Sequence, residues 1–228
     1  MAIVLTNIPF KFDRRFFFDR VHVKPGSEDG DDLDALIEAV LPAIRPKAVY
    51  DVCFIDGRDN ETVRVGDVRF RSRALSANLE GIARIFPYVA TCGREIDQVP
   101  LPTTNFLAPY WLDALKDLAL DAARRYLREH VSSRYATGEL SSMAPGAGPA
   151  DMWPIEQQRD LFALLGDVEG LVGVRLTESL LMIPNKSVSG ILFPREVRFE
   201  TCQVCSRESC PNRRAPYDSR IAASMRGA

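Results

Sequence analysis

Three cysteines near the C-terminal end of the sequence have the spacing most suggestive of chemistry. Cys202, Cys205 and Cys210 follow a C-x2-C-x4-C pattern. Thiolates this close in sequence can wrap a single zinc ion or iron–sulfur cluster. Because no histidine lies beside them to complete a zinc site, an iron–sulfur cluster is favoured over zinc and over free thiols. We predict that the three cysteines bind one metal centre.

A further ligand for this centre would come from elsewhere in the chain, unless one iron of the cluster is left open. Cys92 is the first candidate, because it ends an apolar segment beside the small residues Thr91 and Gly93. Cys53 is the second candidate. The odd total of five cysteines, three of them crowded together, favours metal ligation in a reducing compartment over a disulfide framework.

Residues 176–190, LTESLLMIPNKSVSG, place small polar side chains between apolar segments that resemble buried strands. The polar residues of this stretch are Thr177, Glu178, Ser179, Ser187 and Ser189. A buried hydroxyl or carboxylate is costly unless it is paired, so the stretch either holds an internal network or faces a ligand. We expect Glu178 to be buried and to accept hydrogen bonds from backbone amides or from the two later serines.

A glycine-rich turn, APGAG at residues 144–148, precedes a predicted helix that leads back to this polar stretch. Glycines let a backbone approach a ligand closely, but the turn lacks the dinucleotide fingerprint and the P-loop lysine, so no phosphate site is predicted. We predict a ligand pocket where the turn meets the polar stretch, and we assign no catalytic residue. The predicted ligand-binding residues are Gly146, Ala147, Gly148, Thr177, Glu178, Ser179 and Ser187.

The same motifs resemble a known family. LTES, Met182, Pro184 and SVSG at this spacing, together with APGAG and the following Trp153-Pro154, are similar to the activation domain of cobalamin-dependent methionine synthase and to stand-alone proteins like it. The likeness extends through RSRALSANLEGIARIFPYVATCGREID and covers residues 30–195. The resemblance implies an α+β fold, with flanking helices around a central twisted antiparallel sheet. It also implies a domain that presents S-adenosylmethionine to an oxidised corrinoid, so that reduction and methylation restore the active cofactor.

Two positions depart from the family pattern. The family's arginine four residues before the glycine, to which the resemblance assigns the ligand's carboxylate, falls on Ser142, and the tyrosine after the glycine falls on Ala147. A bidentate arginine–carboxylate contact is among the stronger polar interactions. We therefore expect S-adenosylmethionine to bind roughly a hundredfold more weakly than an arginine-containing site would, or not at all.

Two functional hypotheses follow. The first is an accessory or reactivation factor for a corrinoid-dependent methyltransferase system, with a corrinoid-binding protein or methyltransferase as partner and the cysteine cluster as an electron relay. The second is a non-catalytic ligand- or metal-binding module with the same fold and no S-adenosylmethionine chemistry.

Composition limits both hypotheses. The 228 residues carry a net charge of −2, with 46% hydrophobic and 26% charged residues, which disfavours non-specific nucleic-acid binding. No apolar run approaches the roughly 18 residues of a membrane span, and the first residues lack the features of a signal peptide. We expect a cytoplasmic protein with no nucleic-acid or membrane partner, divided into a domain at residues 1–195 and a cysteine-containing tail at 196–228.

Local patterns predict the elements that position these residues. The acidic run at 28–34 and the apolar period after it predict a helix, residues 63–70 predict a hairpin around Gly66-Asp67, and residues 109–131 predict the longest helix. Ser72 is expected to cap a helix that Pro87 ends, with a strand after it. The basic and aromatic residues 10–23 are interpreted as a buried edge segment rather than a surface for stacking nucleic-acid bases.

Overall fold

The protein folds around an antiparallel sheet flanked by helices, which confirms the predicted α+β class. A computed structural model describes residues 1–102, 105–149, 152–195, 199–210 and 213–226. The strands are β1 (Ile3–Leu5), β2 (Lys47–Tyr50), β3 (Cys53–Phe54), β4 (Gly57–Arg58), β5 (Thr62–Val65), β6 (Val68–Arg71), β7 (Arg84–Thr91), β8 (Leu140–Met143), β9 (Arg175–Leu176), β10 (Met182–Ile183) and β11 (Ser187–Pro194).

The main sheet has the order β1-β2-β7-β11-β8, and its pairings are antiparallel. The long strands β7 and β11 lie side by side from the Ser187–Thr91 pair to the Leu192–Phe86 pair. β3 continues along β7 beyond the end of β2. β4, β5 and β6 form a small separate sheet, and β9 and β10 form a short hairpin.

Helices cover both faces of this sheet. They are α1 (Arg14–Arg20), α2 (Glu28–Val40), α3 (Arg73–Asn78), α4 (Ala108–Tyr135), α5 (Gln158–Leu165), α6 (Val168–Val172) and α7 (Ser219–Arg226). Successive residues of β7 point to opposite faces, so Phe86 packs in the core with α2 and α4 while Ile85 packs in the core that contains Trp153. Within the described ranges, none of the helices is long and apolar enough to cross a membrane.

Several local predictions are confirmed. The acidic run forms the start of α2, and the Ser27 side chain caps it by accepting a hydrogen bond from the Gly30 amide at 3.2 Å. β5 and β6 form the predicted hairpin, with Gly66 at a φ of 57° in its turn. The longest helix is α4, which extends to Tyr135.

The helix that Ser72 caps is shorter than predicted, because α3 ends at Asn78 and β7 begins at Arg84. Pro87 therefore lies inside a central strand. Its carbonyl accepts from the Asp51 amide at 3.1 Å, which places the missing amide of Pro87 on the side where the neighbouring strand is interrupted between β2 and β3. The proline is tolerated there because that position does not need a ladder donor.

Residues 10–23 also differ from the expected extended segment, since Arg14–Arg20 forms the helix α1. Asp13 caps this helix by accepting a hydrogen bond from the Phe16 amide at 2.9 Å. Phe17 and Phe18 are consecutive and both buried, which a half-buried strand would not permit but a helix does.

The C-terminal segment packs against the rest of the chain. The predicted boundary lies between residues 195 and 196, and residues 196–198 are outside the described residues. Beyond it, Phe199, Val204 and Ala222 are buried in the core that contains Trp153. The Phe199 amide donates to Ser141 Oγ at 2.7 Å, which ties the segment to β8. The division into residues 1–195 and 196–228 remains a prediction.

Candidate functional site

A cleft of about 820 Å³ opens where β8 ends beside β11. The register between these strands ends at the Met143–Ile191 pair, and the chain then leaves the sheet through the 144–147 turn. One side of the first half of β11 thereby faces the cleft. The β9–β10 hairpin and the outer surface of α4 supply further walls.

Four of the seven predicted ligand-binding residues line this cleft, namely Gly146, Ala147, Thr177 and Ser187. The structure thus brings the glycine-rich turn and the polar stretch together, as the sequence analysis expected. The other three, Gly148, Glu178 and Ser179, are not among its lining residues. Their assignment to ligand binding remains a prediction.

The expectation that Glu178 is buried is wrong. Glu178 is exposed at the tip of the β9–β10 hairpin, and its backbone carbonyl accepts from Arg159 Nη2 at 2.9 Å. The hairpin is closed by Thr177, whose amide donates to the Leu181 carbonyl and whose hydroxyl accepts from the Leu181 amide. This closure places residue 178 outside the cleft, and the Ser179 hydroxyl lies 3.0 Å from the Thr177 hydroxyl.

The two serines of β11 do form part of a buried polar network. Ser187 Oγ lies 2.8 Å from the Pro184 carbonyl and 2.9 Å from Thr91 Oγ1, and Thr91 Oγ1 in turn accepts from the Gly93 amide. Ser189 Oγ accepts from Gln158 Nε2 at 3.2 Å. These hydrogen bonds offset the free-energy cost of burying the hydroxyls, as the sequence analysis expected of an internal network.

Gln158 is a site residue that the sequence analysis missed. Its side chain is 2% exposed and lines the cleft, and its Oε1 atom has no hydrogen-bond partner among the described residues. A buried acceptor without a partner costs about 1–3 kcal/mol, so Oε1 is suited to accept a hydrogen bond from a ligand. The available signal was a glutamine in helical register with Leu161 and Leu165, on the buried face of α5.

Tyr88 is a second missed residue. Its hydroxyl lies 3.2 Å from Ser142 Oγ, and both side chains are buried and line the cleft. Ser142, the position at which the sequence departs from the family's arginine, therefore lies in the cleft wall. Its hydroxyl supplies a neutral polar group there.

Arginine side chains from α4 and from the C-terminal segment also line the cleft. Arg124 projects from α4, and Arg213 and Arg214 come from the C-terminal segment. Arg20 lies beside them, and the acidic lining residues are Asp117 and Asp121. The sequence analysis assigned no role in ligand binding to these arginines.

Arg213 organises the loop that contains the predicted metal ligands. Its guanidinium donates to the carbonyls of Cys202 at 3.0 Å, Cys205 at 3.2 Å and Ala215 at 3.3 Å, and also to that of Arg207. The loop carbonyls therefore converge on a protein cation. Cys202 Sγ accepts from the Arg214 amide at 3.4 Å.

The described residues contain no group of three histidine, cysteine or acidic side chains that could hold a metal ion. Cys202, Cys205 and Cys210 are half-buried, whereas Cys92 is fully buried in the core against α4. Burial raises the pKa of the Cys92 thiol to about 12, which favours the protonated form. The structure does not bring Cys92 to the tail cysteines, and this arrangement does not fit a shared metal centre.

Comparisons with known proteins agree with the geometry. Residues 128–211 match the model of a family described as the activation domain of vitamin B12 dependent methionine synthase. No curated protein matches the chain. The fold is similar to that of the MetH reactivation domain solved with bound AdoHcy, with a TM-score of 0.60 and 19% sequence identity over 88% of this chain and 80% of that one. The chain therefore has a MetH reactivation domain-like fold, and less than half of its length matches the activation-domain family.

Proposed function

We propose that this protein is an accessory or reactivation factor for a corrinoid-dependent methyltransferase system. Its cleft would bind a small molecule of the S-adenosyl thioether class, and its partner would be a corrinoid-binding protein or methyltransferase. The carrying observation is that seventeen of the twenty-five residues lining the cleft fall within residues 128–211, the segment that matches the activation-domain family.

The cleft has the chemistry of a small-molecule site. Its volume of about 820 Å³ lies within the usual range of ligand pockets, and it combines apolar side chains with a few fixed polar groups. Leu181 and Ile183 are exposed at its rim and offer apolar surface. Ser189 and Gln158 place a hydroxyl and an unpaired amide oxygen inside it.

These groups bind and orient a ligand. The hydroxyls of Tyr88 and Ser142 are engaged with each other, and Ser187 is held by Thr91 and Pro184. Such paired groups keep fixed positions but are not arranged as a nucleophile with an adjacent base. This favours a role in presenting a ligand to a reaction centre on a partner protein. We propose that the protein and this partner meet in the cytoplasm.

The alternative is a ligand-binding module without a corrinoid partner, which the same cleft geometry permits. The two are separated by measuring the recovery of an inactivated corrinoid methyltransferase, with a chemical reductant and S-adenosylmethionine, in the presence and absence of the protein. Faster recovery that depends on the protein supports reactivation. Ligand binding without any effect on recovery supports the alternative.

Gln158→Met is expected to weaken binding of AdoHcy (S-adenosylhomocysteine) about tenfold, because it removes the unpaired acceptor from the cleft. The unfolding free energy should change by less than about 1 kcal/mol, because the loss of the hydrogen bond from Gln158 to Ser189 is offset by removal of a buried polar atom that lacks a partner in the described residues. Titration calorimetry and urea denaturation measure the two effects.

Gln98→Met is the matched control, because Gln98 is exposed and lies outside the cleft. It should leave AdoHcy binding unchanged. Absence of AdoHcy binding to the wild-type protein at millimolar concentration would refute the proposed ligand class. Equal affinities of wild type and Gln158→Met would remove Gln158 from the site.

The electron-relay part of the hypothesis remains a prediction from cysteine spacing. If Cys202, Cys205 and Cys210 bind an iron–sulfur cluster, or zinc as the alternative, protein prepared without oxygen contains stoichiometric metal that Cys205→Ser loses. Cys92→Ser tests the proposed fourth ligand, and its buried position predicts that metal content stays unchanged. Metal and sulfide analysis measures this, and metal-free wild-type protein would end the hypothesis.

A further inference from the structure

A second cleft of about 980 Å³ lies between the N-terminal segment and the outer surface of α4. It shares four lining residues with the first cleft: Arg20, Asp121, Arg124 and Arg214. The two clefts therefore meet at a junction, which we define by these four residues. Three of them are cations and one is a carboxylate.

The arginines of the junction are loosely paired. Arg124 lies 3.4 Å from Asp121, a carboxylate that is 59% exposed, and Arg214 lies 3.6 Å from Glu200. Arg20 lies 3.8 Å from Asp117. Close charge-assisted contacts between a guanidinium and a carboxylate measure about 2.7–2.9 Å, so these pairs leave donors of each five-donor guanidinium available.

Two other arginines of the protein make several close hydrogen bonds each. Arg14 donates through two nitrogens to the two oxygens of Asp34, with Nε at 2.7 Å from Oδ1. Arg213 donates to several loop carbonyls. The arginines of the junction make no comparable set of contacts within the described chain, which distinguishes them from these structural arginines.

Charge around the junction also favours an anion. The second cleft has further cationic lining residues at Lys11, Arg125 and Arg128, against the acids Asp13 and Glu129. A protein with a net charge of −2 thus concentrates positive charge along one groove. The low-dielectric walls of such a groove focus its electric field and increase its attraction for anions.

The arginines of the first cleft lie apart from the segment that matches the family. All four arginines that line the first cleft lie outside residues 128–211, the segment matched by the activation-domain family. The matched segment thus supplies the neutral walls, including Ser142, and α4 and the C-terminal segment supply Arg124 and Arg214.

We infer that Arg124 and Arg214, with Arg20 beside them, form a subsite for the anionic group of the small molecule held in the first cleft. The anionic group is a carboxylate or phosphate, which guanidinium forks recognise through paired hydrogen bonds. The inference rests on the proposed function, in which the remainder of the small molecule lies beside Gln158 and Ser189. It provides the cationic contact that Ser142 cannot make.

The anion subsite is tested first with inorganic pyrophosphate alone. Titration calorimetry at low ionic strength should show saturable binding to the full-length protein, weakened about tenfold in Arg124→Gln and in Arg214→Gln. Arg69→Gln, on the exposed face of β6, is the control and should bind as wild type does. Absence of saturable binding to the wild type, or binding by both cleft variants that is as tight as that of the wild type, would overturn the subsite. Thermal unfolding verifies that each variant is folded.

A second comparison uses AdoHcy and methylthioadenosine, which share the thioether nucleoside, whereas only AdoHcy carries the amino-acid group with its carboxylate. Arg124→Gln should reduce AdoHcy affinity about tenfold and leave methylthioadenosine affinity unchanged. If both bind and Arg124→Gln affects neither, the subsite is refuted and the proposed function stands. If neither binds while pyrophosphate binding still depends on Arg124 and Arg214, the proposed ligand class fails and the anion subsite stands.

Discussion

Gly190→Ala is expected to lower the free energy of unfolding by about 3 kcal/mol, the upper end of the usual cost of overpacking. A Cβ atom on Gly190 would lie 2.6 Å from the Met143 carbonyl oxygen, 3.2 Å from Tyr88 Cε1 and 3.3 Å from Ala144 Cβ. The nearest atom belongs to the backbone of β8, so a strand would have to move rather than a side chain. That movement would occur at the point where β8 leaves the sheet and the cleft begins.

Gly57→Ala is the matched control, because Gly57 also lies in a strand and the three atoms nearest to its added Cβ would all belong to the flexible Arg64 side chain, the nearest at 3.5 Å. This variant should lose less than about 1 kcal/mol. Urea denaturation with an unchanged m value measures both losses. Equal stability of the two variants would show that the β8–β11 approach is not tight.

Elements with a strong local signal could be predicted from the sequence. The apolar period of α2 and the turn residues of the β5–β6 hairpin lie within short windows, and both elements form where expected. Pro87 misled the analysis because a proline usually ends an element. Its place within β7 depends on a break between β2 and β3, more than thirty positions earlier in the sequence, which no local window contains.

In the candidate site too, features with a local sequence signal were predicted, and features that depend on distant residues were missed. The turn at 144–147 and the polar stretch at 176–190 were predicted to meet, because a predicted helix leads from one to the other. The structure has α5 and α6 between them, and residues of both segments line the cleft. Gln158 and Tyr88 were missed because their partners, Ser189 and Ser142, lie 31 and 54 residues away. Contacts at such separations arise from topology, and the residue types alone do not identify them.

The cysteine loop shows what spacing alone does not reveal. C-x2-C-x4-C predicts convergence on one centre, and the loop does converge, but on the Arg213 guanidinium. The arginine satisfies backbone carbonyls, whereas the spacing argument concerned the thiol groups. The spacing did not indicate this arginine, and the metal centre that it predicts remains a prediction.

Gly146→Ala is expected to lower the unfolding free energy by about 2 kcal/mol and to weaken AdoHcy binding at least tenfold. Gly146 has a φ of 73°, a conformation that costs an alanine about 1 kcal/mol. Its added Cβ would also lie 2.5 Å from Ile155 Cδ1 and 3.1 Å from Ile155 Cβ. Both residues line the cleft, so the displacement required to relieve this clash would change the binding surface itself.

Gly138→Ala separates the two causes. Gly138 has a similar φ of 67°, but an added Cβ there would meet no atom within 4 Å. Its alanine variant should therefore lose only the backbone cost of about 1 kcal/mol and keep wild-type affinity for AdoHcy. Urea denaturation and titration calorimetry of both variants measure the difference. A Gly146→Ala protein that binds AdoHcy as tightly as Gly138→Ala would show that the turn, although it lines the cleft, does not contact the ligand.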